Sequence, residues 1–253
     1  MRAKVKILVE GYTNANEVGE TGDEKDCPTI TLVREDDLIM VVDPGILESQ
    51  QILIDALDRE GLTVEDVNMV CVTHSHLDHY RNVGMFPDAK VLEYFGVWQK
   101  NTVKDWSEQF TQNIQILRTP GHNNTDITLL VTTDDGLVAI CGDVFWKENY
   151  PADPRDDTFA SDPEKLKESR EMVLKMADWI IPGHGRMYKI RKGQTQEEEK
   201  VEEGRTKGAV TLTCKRCHKV MEKRDRCLCR PWLCHHCCEC GIDCDLCGCS
   251  HKR

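Results

Sequence analysis

The sequence predicts an α/β domain followed by a small cysteine-rich module, and three observations carry this prediction. Residues 1–190 alternate short β-patterned runs with helix signals. The stretch 193–208 is almost wholly polar and ends that pattern. Of the 14 cysteines, 11 lie between Cys214 and Cys249. A chain of 253 residues is long enough for one sizeable core with such an appendage.

The expected parts are, in order, a domain over 1–192, a charged linker over 193–209 and a cysteine-rich module over 210–253. Hydrophobic residues make up 40% of the chain and charged residues 30%, which is typical of soluble globular proteins. No apolar run approaches the ~20 residues of a membrane span. The N-terminal Met1–Lys4 is not followed by a secretory hydrophobic region. We therefore expect a cytoplasmic protein without a membrane partner.

Charge is divided as unevenly as cysteine. Residues 214–253 carry nine Lys or Arg and five Asp or Glu, a net of +4, so the −11 of the whole chain leaves −15 on residues 1–213. Such an acidic body repels polyanions, which favours a small-molecule substrate over nucleic acid. Contact with nucleic acid is an option for the mildly basic module alone.

In the first half of the chain, four strands are expected: Val5–Val9, Thr29–Val33, Leu38–Asp43 and Asn68–Thr73. The last of these is apolar and ends directly at a cluster of histidines. The spacing of Ile52, Leu53 and Leu57 predicts a helix over Glu48–Leu57, which ends before Gly61.

In the second half, Ile127–Val131 and Leu137–Gly142 predict a hairpin across a Thr-Asp-Asp-Gly turn. Ser161 and Glu164 form a capping-box pattern, with a proline between them, that predicts the start of a helix. Asp178–Ile181 predicts a final short strand.

The strongest chemical signal is the run H-x-H-x-D-H, which places four metal-ligand candidates in six positions: His74, His76, Asp78 and His79. A strand end followed by a tight turn directs alternate side chains into one cleft, and two further ligands on the turn reach a second point nearby. Histidine together with carboxylate suits zinc. Such a run arises rarely by chance, so solvated surface histidines are the weaker interpretation.

Three further candidates lie on loops after apolar strands: His122, Asp143 and His184. Each has a glycine beside it, which permits a close approach of the backbone or a positive φ. The five histidines of this set are the only ones in residues 1–213. Histidines used only for packing would be distributed along the chain, so their restriction to this set favours a metal site.

The order H-x-H-x-D-H, T-P-G-H, G-D and P-G-H-G resembles the metallo-β-lactamase superfamily, and the resemblance covers residues 1 to about 190. It implies a four-layer αββα metallo-β-lactamase fold and a site with two zinc ions. It also implies the ligands: His74, His76 and His122 for the first zinc, Asp78, His79 and His184 for the second, and Asp143 as the bridge.

The activity implied is that of a zinc-dependent hydrolase that uses a metal-bridging hydroxide. We expect its substrate to be a small ester, a thioester or a related molecule. The expected catalytic residues are Asp143, which holds the metal pair, and Asp78, which orients the nucleophile. His76 stands where the diiron oxygen-reducing branch has glutamate. Only 40 residues separate Asp143 from His184, too few for the inserted domain of the mRNA-processing nucleases of this fold.

Two alternatives stay open. A zinc phosphodiesterase or endoribonuclease acting on RNA is favoured by the two metals and the basic module, and is opposed by the acidic body. A metal-binding adaptor or sensor with a vestigial hydrolase domain is opposed by the complete ligand set.

Several other residues have two interpretations. Asp43 either orients a ligand histidine or is a plain turn residue before Pro44. Cys71 and Cys141 lie in apolar strands and are interpreted as core residues, with catalysis the minor alternative. Four aromatic residues are candidates for the mouth of the cleft, although packing is the commoner role: Trp98, Trp106, Trp146 and Tyr150.

The module is interpreted as zinc-binding, because forty residues with few apolar side chains need metal to fold. The proposed ligands for two or three further zinc ions are Cys214, Cys217, Cys227, Cys229, Cys234, Cys237, Cys240, Cys244 and Cys247. A disulfide scaffold conflicts with a cytoplasmic location. A metallothionein-like metal store is the other alternative.

Overall fold

The structure is a computed structural model, and it describes residues 2–15, 23–148, 150–190, 212–213 and 220–221. The chain divides into two compact units, Met1–Arg191 and Lys192–Arg253. In the second unit, the described residues Leu212–Thr213 and Val220–Met221 pair as an antiparallel ribbon. The predicted linker and all nine predicted cysteine ligands lie outside the described residues.

The described part of the first unit contains fourteen strands: β1 Lys4–Val9, β2 Tyr12–Thr13, β3 Asp26–Cys27, β4 Ile30–Glu35, β5 Leu38–Val42, β6 Met69–Cys71, β7 Lys90–Glu93, β8 Gly96–Gln99, β9 Thr102–Lys104, β10 Ile114–Arg118, β11 Ile127–Thr133, β12 Gly136–Ile140, β13 Trp179–Ile181 and β14 Tyr188–Lys189. The α-helices there are α1 Gln51–Arg59, α2 Leu77–Tyr80 and α3 Pro163–Met176. Short 3-10 turns lie at Val64–Asp66, Val83–Met85, Gly142–Val144 and Pro154–Asp156. Among the described residues, no helix has the length and apolar character of a membrane span.

The strands form two large sheets, with the orders β1-β4-β5-β6-β7-β8-β9 and β10-β11-β12-β13-β14. In the first sheet β5, β6 and β7 run parallel, and in the second β12 and β13 do so. The other neighbours are antiparallel. Strands β2 and β3 pair as a separate ribbon. The carboxyl ends of the parallel strands meet at one edge of each sheet, and the loops that leave these ends carry the chemistry described below.

The two sheets pack face to face. Successive side chains of a strand point to opposite faces of its sheet, so a strand can pack against the other sheet on one face and against a helix on the other. In β5, Val42 packs between the sheets while Val41 packs on the side covered by α1. In β11, Leu129 packs between the sheets while Leu130 packs on the side covered by α3. The layers are therefore helix, sheet, sheet and helix, which confirms the α/β sandwich.

Several predicted elements differ from the structure at their ends. The helix predicted from Glu48 begins at Gln51. Ser161 is not the cap of α3: Asp162 is the N-cap residue, and its carboxylate accepts the Lys165 N–H at 3.1 Å. The strand over Asp178–Ile181 is not the last, since β14 follows it. Strands β7 to β9 had no predicted counterpart, because they are three or four residues long and mostly exposed, so no apolar run marks them.

Candidate metal centre

The ligand candidates lie on loops at the ends of neighbouring strands. In the first sheet, Asp43 directly follows β5 and His74 follows β6, its parallel neighbour. In the second sheet, Asp143 follows β12 and His184 follows β13, again a parallel neighbour. The pairing of strands thus assembles residues that are far apart in the sequence.

His122 comes from the connection between β10 and β11, which passes close to α3. Gly121 has φ +146°, and a Cβ added there would lie 2.2 Å from the backbone nitrogen of Leu166. Asp126 closes the loop by accepting the Asn123 N–H at 2.6 Å, and burial raises the pKa of this carboxyl group to about 7. The glycine beside His122 is therefore required by a close backbone approach, as the sequence predicts.

The seven predicted ligands fall into two groups: His74, His76, His122 and Asp143 in the first, and Asp78, His79 and His184 in the second. Within each group the ligand atoms lie within 4.8 Å of one another. The groups correspond to the two ligand sets that the superfamily resemblance implies.

Asp143 stands between the two groups. Its Oδ2 lies 3.3 Å from Nε2 of His122, and its Oδ1 lies 3.3 Å from Nε2 of both His79 and His184. Gly183 makes room for this carboxylate, because an added Cβ would lie 1.8 Å from Oδ1. Oδ2 also lies 3.3 Å from Nε2 of His184, so the carboxylate contacts histidines of both groups and is placed to bridge them.

Three buried atoms of the site make no hydrogen bond of acceptable geometry among the described residues, although two of them are 3.3 Å apart: Nε2 of His74, Nε2 of His79 and Oδ1 of Asp143. A buried polar atom without a partner costs about 1–3 kcal/mol. A metal ion in each group would satisfy all three atoms, and imidazole with carboxylate suits divalent metals such as zinc. The residues therefore fit a dinuclear metal site.

Asp43 orients one of the ligands. Its Oδ2 lies 2.9 Å from Nδ1 of His79, and its carboxylate accepts the backbone N–H and the hydroxyl of Thr73 at 2.8 and 2.7 Å. The residue is 3% exposed and has φ +48°, a conformation that aspartate tolerates in turns. Of the two roles left open by the sequence, the structure assigns the orienting one, which fixes the ring of a ligand histidine.

Among the other orienting groups, which escaped prediction, are a carboxylate and a backbone carbonyl. Oδ2 of Asp157 lies 2.9 Å from Nδ1 of His122, and the carbonyl of Cys27 lies 3.1 Å from Nδ1 of His184. Asp157 is 35 residues away from its partner, and it stands in a turn-rich stretch with other aspartates. No pattern in the sequence distinguishes it, and a carbonyl acceptor exists at every residue.

The charges of the site are strongly coupled. Burial disfavours the ionised form of Asp143, but His184 and His79 outweigh it and hold the pKa of this carboxyl group well below its usual value. Burial likewise disfavours protonated His79, yet Asp143 and Asp43 raise its pKa well above the usual value. Against burial, Asp143 also raises the pKa of His184. Burial and the adjacent histidines lower the pKa of His74.

Five of the ligands line a cavity of about 240 Å³. The other lining residues are Thr13, Ala15, Glu24, Asp26, Leu77, Trp146 and Phe159. None of the described residues that line it is lysine or arginine. Of the four aromatic candidates for the cleft mouth, only Trp146 lines the cavity. Trp98 and Trp106 instead donate to Glu93, and the Tyr150 hydroxyl donates to the carbonyl of Ala15.

Cys71 and Cys141 are core residues. They are 0% and 1% exposed, and burial raises the pKa of both thiols. A buried thiol that resists ionisation is a poor nucleophile. The packing role predicted for both is confirmed.

Comparison with known proteins identifies the family. Residues 28–113 match the model of the Metallo-beta-lactamase superfamily. The chain is 32% identical over 205 residues to Metallo-beta-lactamase domain-containing protein 1 of Xenopus laevis, which covers 77% of this chain and 85% of that protein. It is 31% identical over 169 residues to the protein of the same name from Mus musculus, which covers 63% of this chain and 64% of that protein. The chain belongs to the metallo-β-lactamase superfamily.

Solved structures have the same fold. A Thermotoga maritima protein described as a metallo-beta-lactamase superposes with a TM-score of 0.60 at 23% identity, over 75% of this chain and 100% of its own. AidC, a dizinc quorum-quenching lactonase solved with a product, superposes with a TM-score of 0.51 at 15% identity, over 64% of this chain and 74% of its own. With its complete set of histidine and aspartate ligands, this chain is a metal-dependent hydrolase of the metallo-β-lactamase fold.

Proposed function

We propose that the chain hydrolyses a small ester, thioester or related substrate with two zinc ions. The observation that carries the proposal is the pair of ligand groups joined by Asp143 in the wall of a small cavity. Five imidazoles and two carboxylates, without a thiolate, form a donor set of the kind that catalytic zinc sites use. A cavity of about 240 Å³ lies below the usual ~300–1,000 Å³ of ligand pockets, which favours a small substrate.

Bound zinc ions would supply a Lewis acid and a water molecule of lowered pKa. The chain's own residues prepare the site for that chemistry. Asp43 and Asp157 orient the rings of His79 and His122 through contacts with their Nδ1 atoms. The side chain of Asp78 is 24% exposed, against 6% for Asp143, so Asp78 is the carboxylate of the set that an entering substrate meets. This exposure supports its proposed role in orienting the nucleophile.

The other residues that line the cavity include both apolar and acidic side chains. The rings of Trp146 and Phe159 are in contact, with centroids 5.7 Å apart, and offer a surface for the apolar part of a substrate. Glu24 and Asp26 line the same cavity. A bound phosphodiester backbone needs cations, so this lining supports an ester-class substrate over RNA. The similarity in fold to a dizinc lactonase also supports an ester substrate, because a lactone is a cyclic ester.

A substrate panel tests the proposal. We expect metal-loaded protein to hydrolyse a thioester or lactone, with a kcat/KM that changes little between 50 and 200 mM salt, and Asp143→Ala to be inactive. A protein that contacts 6–10 phosphates would lose ~10³–10⁵ in affinity over that range. Cleavage of short RNA or a phosphodiester with such a slope would replace the proposal by the endoribonuclease alternative. No turnover of any substrate would favour the adaptor or sensor alternative.

For residues 210–253 we propose a module that binds two or three further zinc ions in the reducing cytoplasm. Its support is compositional: 11 cysteines and four histidines lie within residues 214–253. Its mildly basic charge makes it the part proposed to contact nucleic acid. Elemental analysis of the whole chain and of residues 1–192 should differ by two or three zinc ions, and equal zinc contents would exclude the module as a zinc site.

A further inference from the structure

Helix α3 contacts two of the three segments that supply the first ligand group, the ones that carry His122 and Asp143. The Ser169 hydroxyl donates to the carbonyl of Pro120 at 2.7 Å, two residues before His122. The next residue of the helix, Arg170, donates from Nε to the carbonyl of Val144 at 2.7 Å, directly after the bridging carboxylate. One helical turn therefore contacts two separate loops that carry ligands of the first group.

Arg170 is the unusual member of this pair because it is buried. It is 6% exposed, and its guanidinium lies 5.3 Å from the ring centre of Phe145. Nη1 donates to the carbonyl of Pro151 at 2.7 Å, while Nη2 has no hydrogen-bond partner among the described residues. Arginine is rarely buried without a paired charge, and packing alone would favour an apolar side chain here.

The carbonyl of Pro151, which accepts the second hydrogen bond from Arg170, belongs to the segment that leads to Asp157. The carboxylate of Asp157 in turn lies 2.9 Å from Nδ1 of His122. Burial lowers the pKa of Arg170. Among the groups that raise this pKa, the charge of Asp157 has the largest effect, so the two charges attract each other. Arg170 thus donates hydrogen bonds to the chain on either side of Trp146, which lines the cavity.

We propose that Arg170 is a positioning residue of the metal centre. It fixes the loop that carries Asp143 and the segment that carries Asp157 at one distance from each other, and so sets the geometry of the first ligand group. It contacts the backbone of these segments and none of the metal-ligand atoms. The inference rests on the metal centre and is independent of the substrate.

The test compares Arg170→Met with Lys175→Met in the full-length chain. Lys175 lies on the exposed side of the same helix and serves as the control. Zinc affinity is measured by competition with a chelator, and the ligand geometry is read from the visible spectrum of the cobalt-substituted proteins. The cysteine-rich module is identical in all variants, so differences report on the hydrolase site.

We expect Arg170→Met to weaken zinc binding by the first ligand group about 10–100-fold, as is typical when an outer support of a metal site is removed. Its cobalt spectrum should change, and Lys175→Met should match the wild type in both measurements. A folded Arg170→Met protein with wild-type zinc affinity and cobalt spectrum would overturn the proposal, even if it melts at a lower temperature. If Arg170→Met does not fold, Arg170→Gln decides in the same way, because it keeps a donor but loses the charge and the reach to both carbonyls.

Discussion

Asp43 and His79 are joined by a 2.9 Å contact between Oδ2 and Nδ1, and this contact links the end of β5 to helix α2. The same carboxylate accepts two hydrogen bonds from Thr73, which precedes the first ligand of the cluster. A single aspartate at the end of β5 therefore fixes both the start of the ligand run and the ring of its last histidine.

Replacing this aspartate should weaken the second ligand group. Asp43→Asn keeps the shape of the side chain and tolerates the positive φ, but it removes the charge that supports His79. We expect the affinity for the second metal ion to fall about 10–100-fold, measured by chelator competition. Asp37→Asn, in the exposed turn before β5, is the control. Unchanged affinity in Asp43→Asn would show that the contact is structural only.

Removing the bridging carboxylate should have a larger effect. Asp143→Ala removes the shared carboxylate but leaves three histidines in the first group, so the chain should lose the second zinc ion, about one per chain by elemental analysis. Far-ultraviolet circular dichroism should be unchanged, because no strand depends on this side chain. Asp105→Ala, on the exposed segment after β9, should retain the full metal content. Retention of both ions by Asp143→Ala would contradict the bridging assignment.

The crowding at Gly183 gives a test that leaves every ligand in place. Gly183→Ala would put a Cβ 1.8 Å from Oδ1 of Asp143, so the carboxylate must move. Overpacking of this kind costs about 1–3 kcal/mol of unfolding free energy, and we expect metal to be lost as well. Gly84→Ala meets nothing within 4 Å and should change neither stability nor metal content by much. Equal behaviour of the two variants in urea titration and metal analysis would refute the packing argument.

Metal binding should release protons at neutral pH. The pKa values of His79 and His184 are raised in the metal-free site, chiefly through Asp143 acting against burial. Each imidazole must lose its proton to bind a metal ion, so affinity should fall as the pH decreases through the raised pKa values. Calorimetric titration of residues 1–192 with zinc, in buffers of different ionisation enthalpy, measures the released protons. Heats that do not depend on the buffer at pH 7 would contradict the predicted protonation of the free site.

The sequence by itself determined the chemistry of the site. The ligand run from His74 to His79 is local: four donors follow one strand, and their order can be read directly. His122, Asp143 and His184 could also be found, because each stands beside a glycine after an apolar strand and because residues 1–213 contain no other histidine. Continuous apolar runs were enough to predict β6 and β12, the central strands of the two sheets, because burial on both faces leaves such a run.

Only the tertiary structure decided which groups support those ligands. Asp43 had two equally good interpretations until β5 and β6 paired as parallel neighbours and brought it to His79. Asp157 and Arg170 act across 35 and 26 residues, on His122 and on the carbonyl of Val144. Their roles depend on the position of α3, and that position is determined by packing against the whole hydrophobic core. A ligand motif such as the run from His74 to His79, in contrast, can be recognised from neighbouring residues in the chain. For that physical reason the metal ligands were visible in the sequence and the residues that hold them were not.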